Sequence, residues 1–518
     1  MRKTLLLFML CAAPGPLAAQ SESFVVRLGT DTIAIETFMR SATRLEGELS
    51  GSAVRARSRY ALELSNGNPV ALRSEVIPAG SDTATLKATM QFARDSVFVQ
   101  LVRSGIPQPE QRLATKPGAV PFVNLAFSFV ELVTTRAQRA PGDSMTAQLF
   151  LLENGVTLAA KIKWMESDSA VMSLGGIELR MHLDARGRIL HAAVPAQNVT
   201  VTRVAGTLDR AAAAPPDYRA PANANYTAQD VTVSTAAGHT LAGTLTLPKS
   251  RRGRVPAVVT ISGSGAQDRD ESLTGLRGYR PFRELAEDLA RRGIAVLRYD
   301  DRGFGGSTGV HATGTSVDFA EDTRAVIAYL RARPEIDPDK IFLAGRSEGG
   351  MIAPMVAADD PRIAGIVLLA GPAYTGRRIL EYQTRNNAEL VTGKTQAERD
   401  SLFRAGMATL DSLGATQPWI RYFRDYDPLP VVRKVRVPVL IVHGATDRQV
   451  TVDQADVLAR TLREAGNRDV AVHVLPDVNH LFLSDPVGNT AGYFSLRTRT
   501  VVPQLLQIVG DWILTKSK

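Results

Sequence analysis

The feature that most constrains this chain is a short stretch, residues 341–350, in which an apolar run leads into Gly-Arg-Ser-Glu-Gly. The run at 341–344 is typical of a buried strand, and the residues after Gly349 have the apolar spacing of a helix. Between a strand and a helix, the two glycines of Gly-x-Ser-x-Gly allow a very tight turn that leaves the serine hydroxyl exposed. Ser347 is therefore a candidate nucleophile.

Two further residues supply what a serine nucleophile needs. A serine hydroxyl requires a neighbouring base, a group that orients the base, and donors for the developing oxyanion. Asp447 follows the apolar run at 437–442. His480 follows the run at 471–475, so both residues come at predicted strand ends, where loops of a parallel sheet converge. The order Ser, Asp, His predicts a triad in which His480 accepts the serine proton and Asp447 orients the imidazole.

Other residues compete for these roles. Asp477 is close to His480 in the sequence and is the best substitute acid. His443 precedes a glycine at a strand edge and is interpreted as a packed support residue. His473 lies in the middle of a predicted strand, where its side chain cannot easily reach the edge of the sheet.

An oxyanion hole requires two backbone N–H donors, one from the residue after the nucleophile and one from the loop after an earlier strand. Glu348 supplies the first through its amide, and its carboxylate need not take part. Ser-Gly-Ser-Gly at 262–265 follows a buried apolar run, and the amide of Ser264 is the predicted second donor. Glycine in this loop lets the backbone approach a substrate closely. The predicted substrate contacts are Gly265, Arg346 and Trp419.

From residue 226 onward, strand-like and helix-like segments alternate. The strand-like runs are residues 255–261, 294–297, 341–344, 363–370, 437–442 and 471–475. Such alternation predicts a doubly wound, mostly parallel sheet with helices on both faces, an α/β fold. Residues 372–434 interrupt it with polar, helix-like sequence. This insertion is predicted to form a helical lid over Ser347, and the alternative is a peripheral helical excursion.

The first part of the chain has a different pattern, and 518 residues are enough for two domains. Residues 20–210 are strand-like, with apolar residues alternating along 177–183, while residues 122–135 have helical spacing. The hairpin signals are Asn66-Gly67 and Asn154-Gly155. These patterns predict a mostly antiparallel β domain with one helix, formed as a strongly curved sheet or as a sandwich.

The boundary between the two predicted domains is marked by composition. Residues 211–225 are rich in Ala and Pro and lack periodicity, which predicts a linker to a catalytic domain at 226–518. No period of 40 to 50 residues repeats in the N-terminal part, which argues against a propeller.

The first residues predict export. Residues 1–19 begin with Arg2 and Lys3 and continue with an apolar core and small residues, the pattern of a cleaved signal peptide. Cys11 is the only cysteine, so a cleaved chain has neither disulfides nor a thiolate metal site. We expect a secreted protein, periplasmic or extracellular, with no stable membrane insertion after cleavage.

The charge pattern bears on partners. The formal net charge is +9, but the basic residues are spread along the chain and are not interleaved with aromatic residues. This pattern argues against nucleic acid as a partner and favours contact with anionic envelope material.

Residues 226–518 resemble the α/β-hydrolase superfamily, and in particular its secreted bacterial serine esterases. The matching motifs are Ile-Ser-Gly-Ser-Gly-Ala-Gln-Asp-Arg-Asp at 261–270, Arg-Tyr-Asp-Asp-Arg-Gly-Phe-Gly-Gly-Ser at 298–307, Gly-Arg-Ser-Glu-Gly-Gly at 345–350, His-Gly-Ala-Thr-Asp at 443–447 and Asn-His at 479–480. The resemblance implies hydrolysis of a small-molecule carboxylic ester, with a small to medium acyl chain, through an acyl-enzyme and without metal or cofactor. Ser262 and Arg346 stand where many members have histidine, which bears on acyl preference and pH response. The N-terminal region shows no such resemblance.

Three other functions remain open. The first is a serine peptidase similar to the prolyl oligopeptidase family, although those enzymes carry a propeller and tend to have an aromatic residue where this chain has Glu348. The second is an acyltransferase or thioesterase, with a lid that admits an acceptor other than water. The third is a binding module that uses the fold only as a scaffold, against which the presence of Ser347, Asp447 and His480 argues.

Overall fold

The computed structural model describes residues 21–518 apart from residues 30, 52–55, 79–82, 104, 137–141, 153–154, 175–176, 209–216, 274–275, 277 and 392–393. The chain divides into two compact units, residues 1–213 and 214–518. The predicted signal peptide, Asn154 of the second hairpin signal and the first part of the predicted linker lie outside the described residues.

Within the described residues, the first unit is one continuous sheet of sixteen strands. Its strands are β1 (Glu22–Leu28), β2 (Asp31–Arg40), β3 (Arg44–Ser50), β4 (Ala56–Ser65), β5 (Asn68–Pro78), β6 (Leu86–Phe92), β7 (Ser96–Arg103), β8 (Ile106–Pro107), β9 (Gln111–Ala114), β10 (Val120–Phe122), β11 (Ser144–Leu151), β12 (Thr157–Glu166), β13 (Ser169–Leu174), β14 (Ile177–Leu183), β15 (Ile189–Val194) and β16 (Val199–Ala205). The order is β10 to β16, then β1 to β8, with β9 paired to β7. Neighbouring strands are antiparallel except β10 and β11.

Among the described residues of this unit there is one α-helix, α1 (Phe127–Thr134), and every residue in it is buried. Because the helix is enclosed, its polar side chains require partners. Glu131 accepts a hydrogen bond from the Ile189 amide at 2.8 Å and forms an ion pair with Arg203. Ser128 donates to the buried Glu36 at 2.5 Å. The prediction of a mostly antiparallel β domain with one helix is confirmed, and its strands form one sheet rather than a sandwich.

The second unit is built on an eight-stranded sheet in the order β17-β18-β20-β19-β21-β22-β23-β24. Its strands are β17 (Tyr226–Ser234), β18 (Thr240–Pro248), β19 (Val255–Ile261), β20 (Ala295–Tyr299), β21 (Ile336–Arg346), β22 (Ile363–Leu369), β23 (Val439–Gly444) and β24 (Val470–Leu475). Strands β19 to β24 are parallel, and β17 and β18 are antiparallel additions at one edge. The predicted mixed, mostly parallel α/β sheet is confirmed.

Helices cover the sheet because its strands are apolar on both faces. The helices are α2 (Pro281–Arg291), α3 (Ser316–Arg331), α4 (Glu348–Ala357), α5 (Gly376–Glu389), α6 (Gln396–Thr416), α7 (Pro418–Asp425), α8 (Leu429–Val432), α9 (Asp453–Glu464) and α10 (Pro503–Lys516). Two buried apolar clusters result, one containing Leu343 and the other containing Phe342, since successive strand residues point to opposite faces. The helices α5 to α8 form the insertion between β22 and β23 that the sequence predicted at 372–434.

The strand register aligns the ends from which the functional loops leave. Ile261 lies opposite Gly345, and Arg346 lies opposite Leu369. Farther along the sheet, Gly444 lies opposite Leu475. The loops after β19, β21, β23 and β24 therefore begin at one edge of the sheet.

The later part of the predicted linker belongs to the second unit and packs against other residues of that unit. The guanidinium of Arg269 lies over the ring of Tyr218, 4.2 Å from its centroid. Arg283 donates hydrogen bonds to the carbonyl oxygens of Asp217 and Arg219 at 2.5 and 3.0 Å. Residues 217–219 are thus held to the unit that bears the candidate nucleophile.

Candidate active site

The turn that carries Ser347 is strained in the way the sequence pattern predicts. Ser347 has φ 53° and ψ −117°, a backbone conformation that non-glycine residues rarely adopt and that costs about 1–3 kcal/mol. Its amide donates to the carbonyl of Leu369 at 2.8 Å, and α4 begins at the next residue. A Cβ added to Gly345 would lie 2.0 Å from the Gly349 carbonyl oxygen. The turn therefore requires glycine at that position.

Asp447 and His480 are directly hydrogen-bonded. The Nδ1 atom of His480 lies 2.7 Å from Oδ2 of Asp447, and both residues are buried. The other carboxylate oxygen of Asp447 accepts from the amides of Gln449 and Val450 at 2.8 and 3.0 Å. Burial acts to raise the pKa of Asp447, but the interactions with His480 and His443 outweigh it and hold this pKa well below its usual range. Asp447 is thus an ionised orienting group for an imidazole.

The competing residues occupy other positions. His443 is fully buried, with Nε2 2.8 Å from the carbonyl oxygen of Val450 and 3.4 Å from Asp447 Oδ2. This position agrees with its interpretation as a packed support residue. Asp477 is exposed, and the acid paired with His480 is Asp447. His473 is also exposed, on β24.

The loop after β19 is fixed beside the nucleophile by the side chains of Glu271 and Asp301. The amide of Gly263 donates to Glu271 at 2.7 Å, and the Ser262 hydroxyl donates to Asp301 at 2.6 Å. A Cβ added to Gly263 would lie only 3.2 Å from the Cβ of Ser347, so the loop passes directly beside the serine. The Gly263 amide already donates to Glu271, so it is not available to an oxyanion. The amide of Ser264, the next in the loop, stays the predicted donor. Gly265 has φ +86° and needs glycine for its conformation.

Arg346 supports this loop through Glu271, which binds the Gly263 amide. It is 4% exposed, and its Nε donates to Oε2 of the fully buried Glu271 at 2.6 Å. Burial acts to lower the pKa of Arg346, but the adjacent Glu271 outweighs burial and raises it. The structure therefore gives Arg346 a positioning contact, and its predicted contact with substrate stays a prediction.

We expect Arg346→Met to destabilise the second unit by about 3–5 kcal/mol, because it leaves Glu271 as an uncompensated buried charge. Thermal unfolding followed by circular dichroism measures the effect. The double variant Arg346→Met with Glu271→Gln should recover part of the loss. Arg377→Met is the matched control, since Arg377 pairs with Asp411 at an exposed site and its loss should cost about 1 kcal/mol or less. Equal destabilisation by the two single variants contradicts the prediction.

The carboxyl group of Glu348 has contacts that the sequence did not reveal. Its Oε1 accepts from the Ser316 hydroxyl at 2.5 Å and from the Trp419 indole N–H at 2.8 Å. Trp419, predicted to contact substrate, is therefore held beside the residue that follows Ser347. The sequence motif requires only the backbone amide of Glu348, and no local pattern connects its side chain with a residue 71 positions away.

A second contact joins the insertion to the acid loop. Gln383, on α5, donates from Nε2 to the carbonyl oxygen of Gln449 at 3.0 Å, and the amide of Gln449 donates to Asp447. The insertion thus contacts both the nucleophile turn and the loop that carries the acid.

A cavity lies beside the nucleophile turn. It is lined by Ile261, Ser262, Gly263, Tyr299, Asp301, His311, Phe319, Asp322, Glu348 and Ile352. Burial raises the pKa of Asp301 well above its usual range, which favours a neutral carboxyl group at this wall. Among the described residues, no group of three or more His, Cys, Asp or Glu side chains is arranged to hold a metal ion. In the same part of the chain, no helix has the length and apolar character to cross a bilayer.

Two families match the second unit. Residues 278–397 match the family described as serine aminopeptidase, S33, and residues 412–492 match the prolyl oligopeptidase family. Neither match extends into the N-terminal region.

Relatives and solved structures each match part of the chain. Esterase EstD of Thermotoga maritima is 28% identical over 304 residues, which cover 58% of this chain and 70% of that protein. An uncharacterized protein of Mycobacterium tuberculosis is 26% identical over 261 residues, covering 49% of this chain and 72% of that one. The structure of the Pyrococcus furiosus esterase Pf2001 aligns with 59% of this chain and 98% of its own, at 18% identity and a TM-score of 0.41.

The fold, the serine turn and the Asp–His pair together define the class of the second unit, which is an α/β-hydrolase segment. The chain is a serine hydrolase of the esterase-like kind, and its relatives include an esterase.

Proposed function

We propose that this protein is an exported serine esterase that hydrolyses carboxylic esters with small to medium acyl groups. The observation that carries the proposal is the 2.7 Å hydrogen bond between Asp447 and His480, at the sheet edge that also bears the strained Ser347. The similarity to an esterase of Thermotoga maritima supports an ester substrate. Export is inferred from residues 1–19 alone, and N-terminal sequencing of the mature protein should begin at Gln20.

The proposed reaction assigns a role to each group. His480 takes the hydroxyl proton of Ser347 as the oxygen attacks the ester carbonyl, and Asp447 stabilises the imidazolium that forms. The amides of Ser264 and Glu348 donate to the oxyanion. His480 then protonates the leaving alcohol, which gives an acyl-enzyme. Water hydrolyses the acyl-enzyme by the same steps, with His480 as the base.

Peptide hydrolysis is the second candidate, because both matching families are described as peptidases. The two reactions use the same triad and differ in the leaving group, an amine in place of an alcohol. The contacts of Trp419 and Gln383 hold the insertion against the site, which favours a small substrate over a protein chain.

Turnover of p-nitrophenyl esters from acetate to decanoate, measured beside a dipeptide anilide, tests the proposal. We expect hydrolysis of the shorter esters and none of the anilide. Anilide cleavage that requires Ser347 supports the peptidase instead. Reaction with a fluorophosphonate but turnover of neither substrate contradicts the esterase and favours transfer to another acceptor.

A further inference from the structure

The carboxyl group of Glu348 joins two separate elements. It accepts hydrogen bonds from Ser316 at the start of α3 and from Trp419 on α7 of the insertion. The backbone amide of Glu348 is one of the two proposed oxyanion donors. This residue therefore connects that donor to the insertion.

The burial of this carboxyl group makes its hydrogen bonds important. Glu348 is 2% exposed, and burial raises its pKa. A buried carboxyl group is costly unless donors satisfy its oxygens, and removal of one donor leaves that cost uncompensated. Ser316 and Trp419 are thus held in fixed positions around one acceptor.

Helix α7 depends on such contacts for its position. It has only eight residues, Pro418–Asp425, and helices of this length are not stable alone. The ring of Trp419 stacks on Phe423, with centroids 5.0 Å apart and 12° between the planes. Phe423 and Ile420 are buried and give the helix its apolar contacts. Its polar contact with Glu348 is made by the indole N–H of Trp419.

We propose that Glu348 is a positioning residue that fixes α7, through Trp419, beside the turn that bears Ser347, and that this contact limits the length of the acyl group. The inference rests on the proposed esterase function. Because Glu348 directly follows Ser347, the indole that it binds lies near an acyl group attached to the serine. A longer acyl chain then requires α7 to move, which breaks the Glu348–Trp419 hydrogen bond.

Trp419→Phe tests the proposal because it removes the indole N–H and keeps a ring to stack on Phe423. We expect the ratio of kcat/KM for p-nitrophenyl octanoate to that for acetate to rise about tenfold, a change typical of a modified apolar pocket. Hydrogen exchange of the amides in 413–426 should become faster, since the helix loses its polar anchor.

Trp512→Phe is the matched control. Trp512 lies on α10 and packs edge-to-face against Phe342, away from the carboxyl group of Glu348. The same chemical change there should leave both the ester ratio and exchange in 413–426 unaltered.

Substitutions of Glu348 separate hydrogen bonding from charge. Glu348→Gln keeps one oxygen that accepts from Ser316 and Trp419, so its ester ratio should stay close to that of the wild type. Glu348→Ala removes the acceptor and should reproduce the ratio of Trp419→Phe. In the double variant, Trp419→Phe should then add little, because both changes break one contact.

The outcomes distinguish this inference from the esterase proposal. Exchange in 413–426 that is the same for Trp419→Phe and Trp512→Phe overturns the inference, whether or not esters are hydrolysed. Faster exchange without a change in the ester ratio overturns the limit on acyl length. If the wild type hydrolyses no ester, the esterase proposal fails. Labelling rates with short-chain and long-chain alkyl fluorophosphonates then test the same limit without turnover.

Discussion

Replacing Ser347 with alanine is expected to lower kcat for p-nitrophenyl acetate by about 10⁵- to 10⁶-fold, the loss typical of a missing serine nucleophile. No acyl-enzyme can form, and the remaining rate comes from oxyanion donors and binding alone. Alanine at this site still has to adopt the strained φ of 53°. Because serine and alanine both carry a Cβ, they meet the same backbone strain there, and the variant should fold much as the wild type does. Thermal unfolding should verify this before kinetics are compared.

Ser250→Ala is the control for this loss. Ser250 is exposed just after β18, and its substitution should leave kcat within about twofold, as surface changes usually do. Mass spectrometry after fluorophosphonate treatment should show a single adduct on the wild type and none on Ser347→Ala. A variant that keeps more than a hundredth of the wild-type rate, or still forms the adduct, contradicts the assignment of Ser347.

Replacing Asp447 with asparagine should lower kcat by about 10⁴-fold, the size of effect expected when the orienting acid of a triad is lost. The carboxylate accepts from His480 Nδ1 at 2.7 Å, and the oxygen that binds the Gln449 and Val450 amides fixes its orientation. An asparagine held by the same amides presents an NH₂ group to Nδ1. This favours the tautomer in which Nε2 carries the proton and cannot accept another from Ser347.

The pH dependence of this variant gives an independent measurement. Asp447 has a pKa held well below its usual range, so it stays ionised in the folded protein as pH falls through about 4. In the wild type, protonation of Asp447 therefore does not cause loss of activity at pH values above 4. In Asp447→Asn the substituted side chain does not ionise, so raising the pH from 5 to 9 should not restore its activity. Asp477→Asn is the control, because the exposed Asp477 has φ 53°, which asparagine tolerates. Equal losses for the two variants show that Asp447 is not the acid.

The sequence predicted the parts of the site that depend on local pattern. Apolar runs identify the parallel strands, and residues just after their carboxyl ends meet at one edge. For this reason the sequence pattern alone predicts the pairing of Asp447 with His480, although the two are 33 residues apart. The glycines of the serine turn could also be predicted from the motif. The structure shows the reason at Gly345, which lies so close to the Gly349 carbonyl oxygen that there is no room for a side chain.

Side-chain pairs between distant elements could not be predicted in this way. Arg346 and Glu271 are 75 residues apart, and Glu348 and Trp419 are 71 apart. Each pair depends on how a loop or an inserted helix packs, which leaves no periodic signal. For Arg346 the substrate contact stays a prediction, and the contact that the sequence did not predict is with a buried acid that supports the loop after β19.

The N-terminal unit shows a similar division. Period-two alternation predicts which face of a strand is buried, so a β domain could be predicted. The helix predicted at 122–135 is present over Phe127–Thr134, while Phe122 ends β10. The alternation does not specify the neighbours of a strand. The pairing of β1 with β16, which joins the two halves of the sheet, is a contact between residues far apart in the chain.

The location of α5 to α8 also has an evolutionary consequence. The insertion leaves the sheet after β22 and returns at β23, and these strands are direct neighbours in register. Such a segment can be exchanged as a cassette between related proteins, because no strand has to change its partner. A transplanted cassette, however, must present a hydrogen-bond donor where Trp419 now stands, or the buried Glu348 is left without one of its partners. Under the proposal that the insertion limits acyl length, an exchanged cassette changes the substrate range and keeps the buried Glu348 satisfied when it retains this polar connection.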